Sequence, residues 1–292
     1  MSLSMHGPRK RSTGGTGGFR IDFLAPAGDP GLSGPGSVSW RVSANPIALA
    51  VGGIAAVILE LAEPRIRAGV WDHSTFKTDP IARMERTGLA AMAVTYGPHA
   101  AARLTFDRVT RMHQRVGGET PEGLAYEAMQ PELLTWVHVT AAWGFLNAYV
   151  RHVDPGLSRA DQDRYYAEGE VVAHGFGASW TPTSVAEVDT YMADMRPRLA
   201  GNATIAEFLA IVRNATPFGA MARPLQRLIT TAAVDLLPPD LRQQLGLPGQ
   251  SAPLTRASVS LLAGLAGFAN RFVDGPPQQA CKRMGVSTDC LR

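Results

Sequence analysis

A histidine inside an apolar helical stripe is the first feature of this sequence that could carry chemistry. Ala102, Phe106, Val109, His113 and Val116 follow one another at spacings of four, three, four and three residues. They therefore share one face of a predicted helix, and the imidazole is expected to face the core. Spacing alone leaves two interpretations open. The residue is either a core histidine bonded to a carbonyl or carboxylate, or a ligand to a metal or haem iron.

A second cluster brings positive charge and a hydroxyl to one helix face. Arg83, Arg86, Thr87 and Ala90 lie at offsets of zero, three, four and seven residues, so they share a face. One interpretation is a solvated first part of the helix, because charged residues rarely point into a core unless they are paired. The other is a guanidinium and a hydroxyl directed into a pocket.

Two glutamates close the most apolar predicted helix. Glu60 and Glu63 are three residues apart and face roughly the same way. A carboxylate on such a helix requires a partner or a raised pKa. The pair is interpreted either as a polar helix end with a salt bridge to Arg65 or Arg67, or as a general base in a dry pocket. For the second role Glu63 is the better placed, beside Pro64.

The remaining histidines and motifs give weaker signals. His138 lies on an apolar predicted helix and could face the core, whereas His73 follows Asp72 in a loop-like stretch. The sequence has no His-Glu-x-x-His, no Cys-x-x-Cys, no P-loop and no Gly-x-Ser-x-Gly motif. Nucleotide binding and a nucleophile-elbow hydrolase therefore have no support.

Composition excludes several classes of protein. The 292 residues are 45% hydrophobic and 18% charged, which excludes disorder of the whole chain, and two cysteines cannot form a disulfide scaffold. The net charge is +3, and the basic residues are scattered, so nucleic acid is not an expected partner. The longest apolar run, residues 47–59, is too short to span a bilayer, and no secretory signal is visible. We expect a cytoplasmic protein without a transmembrane segment.

The periodicity and the proline and glycine positions predict an all-α fold. Residues 1–19 are predicted to be a disordered tail, and residues 20–292 a single compact multi-helix domain. An irregular arm over residues 20–45 is expected to be pinned by Phe23 and Trp40. The predicted helices cover residues 45–63, 79–96, 100–116, 131–152, 159–173, 184–199, 203–214, 222–237, 239–246 and 256–273.

Short stretches over roughly residues 30–250 follow one another in an order that is typical of one family. They are residues 37–42 (SVSWRV), 61–64 (LAEP), 72–76 (DHSTF), 83–87 (RMERT), 111–116 (RMHQRV), 131–138 (PELLTWVH), 164–168 (RYYAE) and 237–246. Through them the chain resembles the family of the mycophenolate-pathway oxygenase MpaB and the rubber oxygenase (latex clearing protein) catalytic domain. The resemblance implies an all-helical fold and, by analogy with the rubber oxygenases, a b-type haem in a globin-like helical core.

The resemblance also implies roles for individual residues. His113 matches the proximal haem ligand, and Arg83, Arg86 and Thr87 match an Arg-x-x-Lys-Thr motif on the distal side. A distal glutamate acts as base in the rubber enzymes, and Glu63 is the matching candidate. Arg86 stands where those enzymes carry Lys, and because arginine keeps its charge, an amine-ligated resting state is not expected. The rubber enzymes are secreted, whereas this chain shows no secretory signal. Polymeric rubber is therefore not the expected substrate.

The sequence thus predicts an enzyme, a haem-b-dependent oxygenase that uses O₂ on a small apolar or isoprenoid-like substrate. The expected site residues are Glu63, Arg83 and Thr87 for catalysis and His113, Arg86 and His138 for cofactor binding, with His113 on the iron. One alternative is a helical lipid- or isoprenoid-binding protein without turnover. Another is an oxidoreductase that uses a different metal, with His73 or His138 joining His113.

Overall fold

Thirteen α-helices and one β-hairpin form the part of the chain that the computed structural model describes, residues 21–215, 220–249 and 253–292. The helices are α1 (Val38–Ser43), α2 (Pro46–Ala62), α3 (Pro64–His73), α4 (Pro80–Tyr96), α5 (His99–His113), α6 (Pro131–His152), α7 (Arg159–Phe176), α8 (Val185–Met195), α9 (Ala203–Asn214), α10 (Arg223–Leu236), α11 (Pro239–Gln244), α12 (Pro253–Ala269) and α13 (Pro276–Met284). The antiparallel strands are β1 (Gly117–Glu119) and β2 (Ala125–Glu127). The predicted all-α class is confirmed, while the predicted disordered tail, residues 1–19, lies outside the described residues.

Side-chain caps set the starts of the helices that carry the candidate site. Asn45 accepts hydrogen bonds of 3.1 Å from the two N–H groups that open α2, and Asp79 caps α4 with one of 3.2 Å. Pro64 ends α2, as predicted, but it also begins α3, which was not predicted. Glu63 has extended backbone and caps α3, so the chain bends here and continues as a helix.

A close crossing of α2 and α6 forms the centre of the molecule. A Cβ at Gly52 would lie 2.5 Å from the carbonyl oxygen of Gly144, so the two backbones meet where only glycine fits. Nearby, the indole Nε1 of Trp136 donates a 3.3 Å hydrogen bond to the carbonyl of Leu59. The two helices therefore form a fixed scaffold for the side chains that project from their other faces.

Three short elements besides α3 were not predicted. Helix α1 lies in the arm that was expected to be irregular, although Phe23 and Trp40 are buried in one cluster and pin this arm as predicted. The hairpin strands have three residues each, too few to show an alternating pattern. Helix α13 lies beyond the last predicted helix and packs against the same cluster.

Membrane-spanning helices were searched for throughout the described ranges. No single helix there is both long and apolar enough to cross a bilayer. Helices α2 and α3 meet those criteria only as a pair, and the chain bends by 109° between them.

Candidate active site

Charged and polar side chains from four helices converge on the outer face of the α2–α6 scaffold. Glu60 lies in the last turn of α2, Arg83 in the first turn of α4 and His113 at the end of α5. The Arg83 guanidinium lowers the pKa of Glu60 and of His113 electrostatically, so it lies within reach of both. Thr140 of α6 completes the group, with its Oγ1 3.5 Å from Oε1 of Glu60.

Glu60 has an unusually basic carboxylate. Burial raises its pKa from the ordinary 4.5 to about 7, although Arg83 and the Thr140 hydroxyl act in the opposite direction. The side chain nevertheless keeps part of its surface accessible. A partly accessible carboxylate that titrates near neutral pH has the properties of a general base.

Glu63, the predicted base, is buried, and its carboxylate makes contacts that stabilise the fold. Its side chain is 2% exposed. Its Oε2 accepts the backbone N–H of Ile66 at 2.9 Å, and its Oε1 accepts Nε of Arg65 at 2.8 Å. Arg65 also pairs with Glu132. Both carboxylate oxygens are therefore engaged in a helix cap and an ion pair. A catalytic role for Glu63 stays a prediction, and the geometry supports Glu60 better.

Arg83 and Thr87 are joined as the sequence spacing predicted. The Arg83 guanidinium donates to Oγ1 of Thr87, whose hydroxyl donates back to the Arg83 carbonyl at 3.0 Å. Arg83 is partly buried, and burial lowers its pKa while Glu60 raises it. Arg86 is exposed and donates a 2.8 Å hydrogen bond to Oγ1 of Thr75. Arg83 is thus the arginine of the motif that lies beside Glu60 and His113.

His113 is partly buried and carries an unsatisfied nitrogen. Its Nδ1 is fully enclosed and has no hydrogen-bond partner within the described ranges. Burial, with a smaller contribution from Arg83, lowers the pKa of the ring, so the imidazole is neutral at pH 7. A buried polar atom without a partner costs about 1–3 kcal/mol. A neutral imidazole in this state is suited to bind a metal through that nitrogen.

His138 and His73 occupy different surroundings. Burial lowers the pKa of His138 to about 4, and its Nε2 lies 3.2 Å from where a Cβ on Gly169 would be. His73 lies 3.1 Å from the hydroxyl of Tyr126, at the hairpin. In the part of the chain that the structure describes, no three His, Cys, Asp or Glu side chains are grouped closely enough to hold a metal ion. The predicted cofactor roles of Arg86 and His138 stay predictions.

Partly exposed residues form a stripe along each of the two scaffold helices. Most of α2 and α6 is buried, and the residues that keep accessible surface include two sets at helical spacing: Gly53, Val57 and Glu60 on α2, and His138, Ala141 and Phe145 on α6. The two sets meet where the Phe145 ring lies 3.6 Å from a Cβ position on Gly53. Glu60 therefore lies at one end of a partly exposed, mainly apolar surface, which we call the apolar stripe.

Two surface cavities lie around Tyr191 rather than at the apolar stripe. Their volumes are about 200 and 280 Å³, and none of Glu60, Arg83, His113 and His138 lines either of them. We assign the chemistry to the end of the stripe at Glu60, because a carboxylate, a guanidinium and an imidazole that shift one another's pKa values meet there.

Glu60 and Thr140 are the members of the site that the sequence analysis did not place. Glu60 was considered, but Glu63 was preferred for its position beside Pro64. The sequence signal that could have identified Glu60 is the helical spacing of Gly53, Val57 and Glu60, which puts Glu60 on the apolar stripe. Thr140 gives no sequence signal, since buried threonines are common on apolar helices.

Comparison with known proteins identifies a family. The family described as "ER-bound oxygenase mpaB/B'/Rubber oxygenase, catalytic domain" matches residues 40–271, a range that includes every residue of the candidate site. No curated protein and no solved structure matches the chain.

Proposed function

Because the chain belongs to the family of the mpaB-type and rubber oxygenase catalytic domains, we propose that it is a haem-b-dependent oxygenase of a small apolar or isoprenoid-like substrate. The observation that carries this proposal is the convergence of Glu60, Arg83 and His113 at one end of the apolar stripe. The family supports oxygenase activity, and the donor set and the apolar stripe support the cofactor and the substrate class.

The donor set fits haem. Haem would need only one ligand from the protein, because the porphyrin itself supplies four nitrogen ligands to the iron, and His113 offers a neutral imidazole with an unsatisfied buried nitrogen. A metal held by side chains alone needs about three of them, and the described residues form no such group. His113 would hold the haem, which when bound supplies the activation of O₂.

Glu60 is the proposed base of the reaction. With a pKa of about 7, the carboxylate is partly ionised at neutral pH and accepts an allylic proton from the substrate. The proton goes to Oε2, since Oε1 faces the Thr140 hydroxyl. Burial keeps the carboxylate basic, and the Arg83 charge keeps enough of it ionised to act.

Arg83 has a second proposed role beside Glu60. A fixed guanidinium stabilises negative charge that develops on oxygen during the reaction, and it does so most effectively where water is scarce. Thr87 holds this guanidinium in place through the hydrogen bond to its Oγ1. Arg83 therefore links the proton-accepting group to the oxygen side of the site.

The composition of the stripe favours an apolar substrate. Val57, Ala141 and Phe145 offer hydrocarbon surface, and Gly53 leaves room beside the Phe145 ring. Apolar surface removed from water contributes about 25 cal/mol per Å², so a chain without polar groups binds such a surface well. The polar groups lie at one end of the stripe, where they can select one position along that chain.

O₂ uptake by the haem-loaded protein tests the proposal. We expect uptake with acyclic isoprenoids of graded length, with products cleaved or oxidised at an allylic position. Glu60→Gln, Arg83→Ala and Thr87→Ala should retain haem and lose most of the activity. Glu63→Gln is the matched control for the base, and it should retain more activity than Glu60→Gln.

Two results of this experiment would contradict the proposal. Equal loss of activity in both glutamate variants would assign Glu60 no special role. A bound apolar ligand without haem absorbance or turnover would instead identify a lipid-binding protein.

A further inference from the structure

The two cysteines of the chain lie side by side, far from the candidate active site. Cys281 is in α13, and Cys290 is in the short C-terminal 3₁₀ helix Thr288–Leu291. Their Sγ atoms are 3.4 Å apart. The chain has no other cysteine, so this contact brings together its entire complement of thiols.

The backbone between the two cysteines is a fixed turn. Gly285 ends α13 in the left-handed conformation, at φ +66°, where a side chain would be strained. The N–H of Val286 donates to the carbonyl of Cys281 at 3.0 Å, and Ser287 caps the 3₁₀ helix. The sulfur atoms are therefore held in contact by hydrogen-bonded backbone on both sides.

The two thiols differ in accessibility. Cys281 is 1% exposed, whereas Cys290 is partly exposed. Burial raises the pKa of the Cys281 thiol to about 12, with the hydrogen bond to Cys290 as the next cause. Cys290 is thus the sulfur that an oxidant in solution reaches first, and Cys281 is the sulfur placed to react with it next.

We propose that Cys281 and Cys290 are a covalent modification site that closes to an intramolecular disulfide when a peroxide reaches Cys290. The Cys290 thiol releases its proton, the thiolate attacks one peroxide oxygen and the O–O bond breaks, which gives a sulfenic acid and a hydroxide that takes up the released proton to form water. The Cys281 sulfur then attacks the Cys290 sulfur, and the sulfenic oxygen leaves as a second water with the Cys281 proton. Each sulfur loses one electron, and the peroxide is reduced to two waters.

The disulfide would tie the C-terminus to the helix that holds the N-terminal arm. Arg283 of α13 donates from Nε to the Asp29 carbonyl at 2.7 Å and from Nη1 to the Phe23 carbonyl at 2.8 Å. The effect should stay local. The cluster lies at the Tyr96 end of α4, whereas Arg83 lies thirteen residues earlier, about 20 Å along the helix axis.

Oxidation of the native full-length chain tests this inference independently of the proposed oxygenase activity. After treatment with hydrogen peroxide, intact mass should fall by two hydrogen atoms, and both thiols should be lost to maleimide labelling carried out after denaturation. A reductant should restore both. Peptide mapping should recover the cross-linked Cys281 and Cys290 peptides from monomeric protein. The C-terminus of the oxidised form should resist carboxypeptidase more than that of the reduced form.

Single cysteine variants provide the matched controls. Cys290→Ser should leave the buried Cys281 unlabelled and unoxidised in the native state. Cys281→Ser should leave Cys290 as a stable sulfenic acid that dimedone traps, and circular dichroism should confirm its fold. Peroxide treatment that leaves both wild-type thiols free would overturn the inference. So would oxidation of Cys290 beyond the sulfenic acid, or linkage between chains, in place of the internal cross-link.

Discussion

Replacing Glu60 with glutamine should stabilise the protein at alkaline pH. Burial raises the pKa of this carboxyl from 4.5 to about 7, so ionising it costs more in the folded protein than in the unfolded chain. At about 1.4 kcal/mol per pKa unit, this difference corresponds to about 3 kcal/mol of unfolding free energy. Glutamine has nearly the same shape and carries no charge at any pH, so it removes this cost.

The pH range of the effect follows from the two pKa values of Glu60. Below pH 4.5 the carboxyl is protonated in both states and costs nothing. As the pH rises towards 7, the unfolded chain releases its proton before the folded protein does, so the stability of the wild type falls. Above pH 7 the carboxylate is ionised in both states, and the destabilisation stays constant. Relative to wild type, Glu60→Gln should therefore gain nothing in acid and about 3 kcal/mol in mild alkali.

Urea unfolding of wild type and variant below pH 4.5 and above pH 7 measures this difference. Burial lowers the pKa of His138 and of His152 to about 4, and these rings titrate in wild type and variant alike. The difference between the two unfolding free energies therefore isolates the contribution of Glu60. Glu63→Gln is the control, because it weakens the α3 cap and the Arg65 pair and should lose about 1–2 kcal/mol at alkaline pH. The reasoning is refuted if Glu60→Gln differs from wild type by the same amount at both pH values.

Two further predictions concern the packing of the helices, and urea unfolding measures both. Gly52→Ala should lower the free energy of unfolding by about 2 kcal/mol or more, because its Cβ would lie 2.5 Å from the Gly144 carbonyl. Gly88→Ala in α4 is the control, because a Cβ there meets nothing within 4 Å, and it should raise the free energy of unfolding by up to about 1 kcal/mol. An equal loss of stability in the two glycine variants would contradict the close crossing of α2 and α6. Asp235→Ala should cost about 3–5 kcal/mol, because it removes the 3.1 Å partner of Arg242, which is 5% exposed. A cost below about 1 kcal/mol would contradict that assignment.

The sequence contained most of the information for the helices of the site. Asn45-Pro46 and Asp79-Pro80 are local signals, and a cap followed by proline needs no tertiary contact to start a helix. The stripe around His113 likewise predicted a partly buried imidazole, and the structure confirms that burial. The α1 and α13 helices were missed because each is short and is stabilised mainly by the cluster around Trp40.

The arrangement of the site depends on tertiary contacts that periodicity does not encode. The sequence favoured Glu63 over Glu60 for its position beside Pro64, but α3 gives Glu63 a structural role, because the first turn of α3 takes both of its carboxylate oxygens. The proximity of Arg83 to His113 depends on how α4 and α5 pair. Spacing within one helix predicts which residues share a face, but not which face meets another helix.

The absorption spectrum of the purified protein, expressed with ample haem, tests the central claim most directly. We predict a Soret band for wild type and for His138→Ala. His113→Ala should lose the band while its helical circular dichroism signal persists, because the side chain that would hold the haem would be gone. Wild-type protein without Soret absorbance or iron would contradict the account, as would full haem retention by His113→Ala.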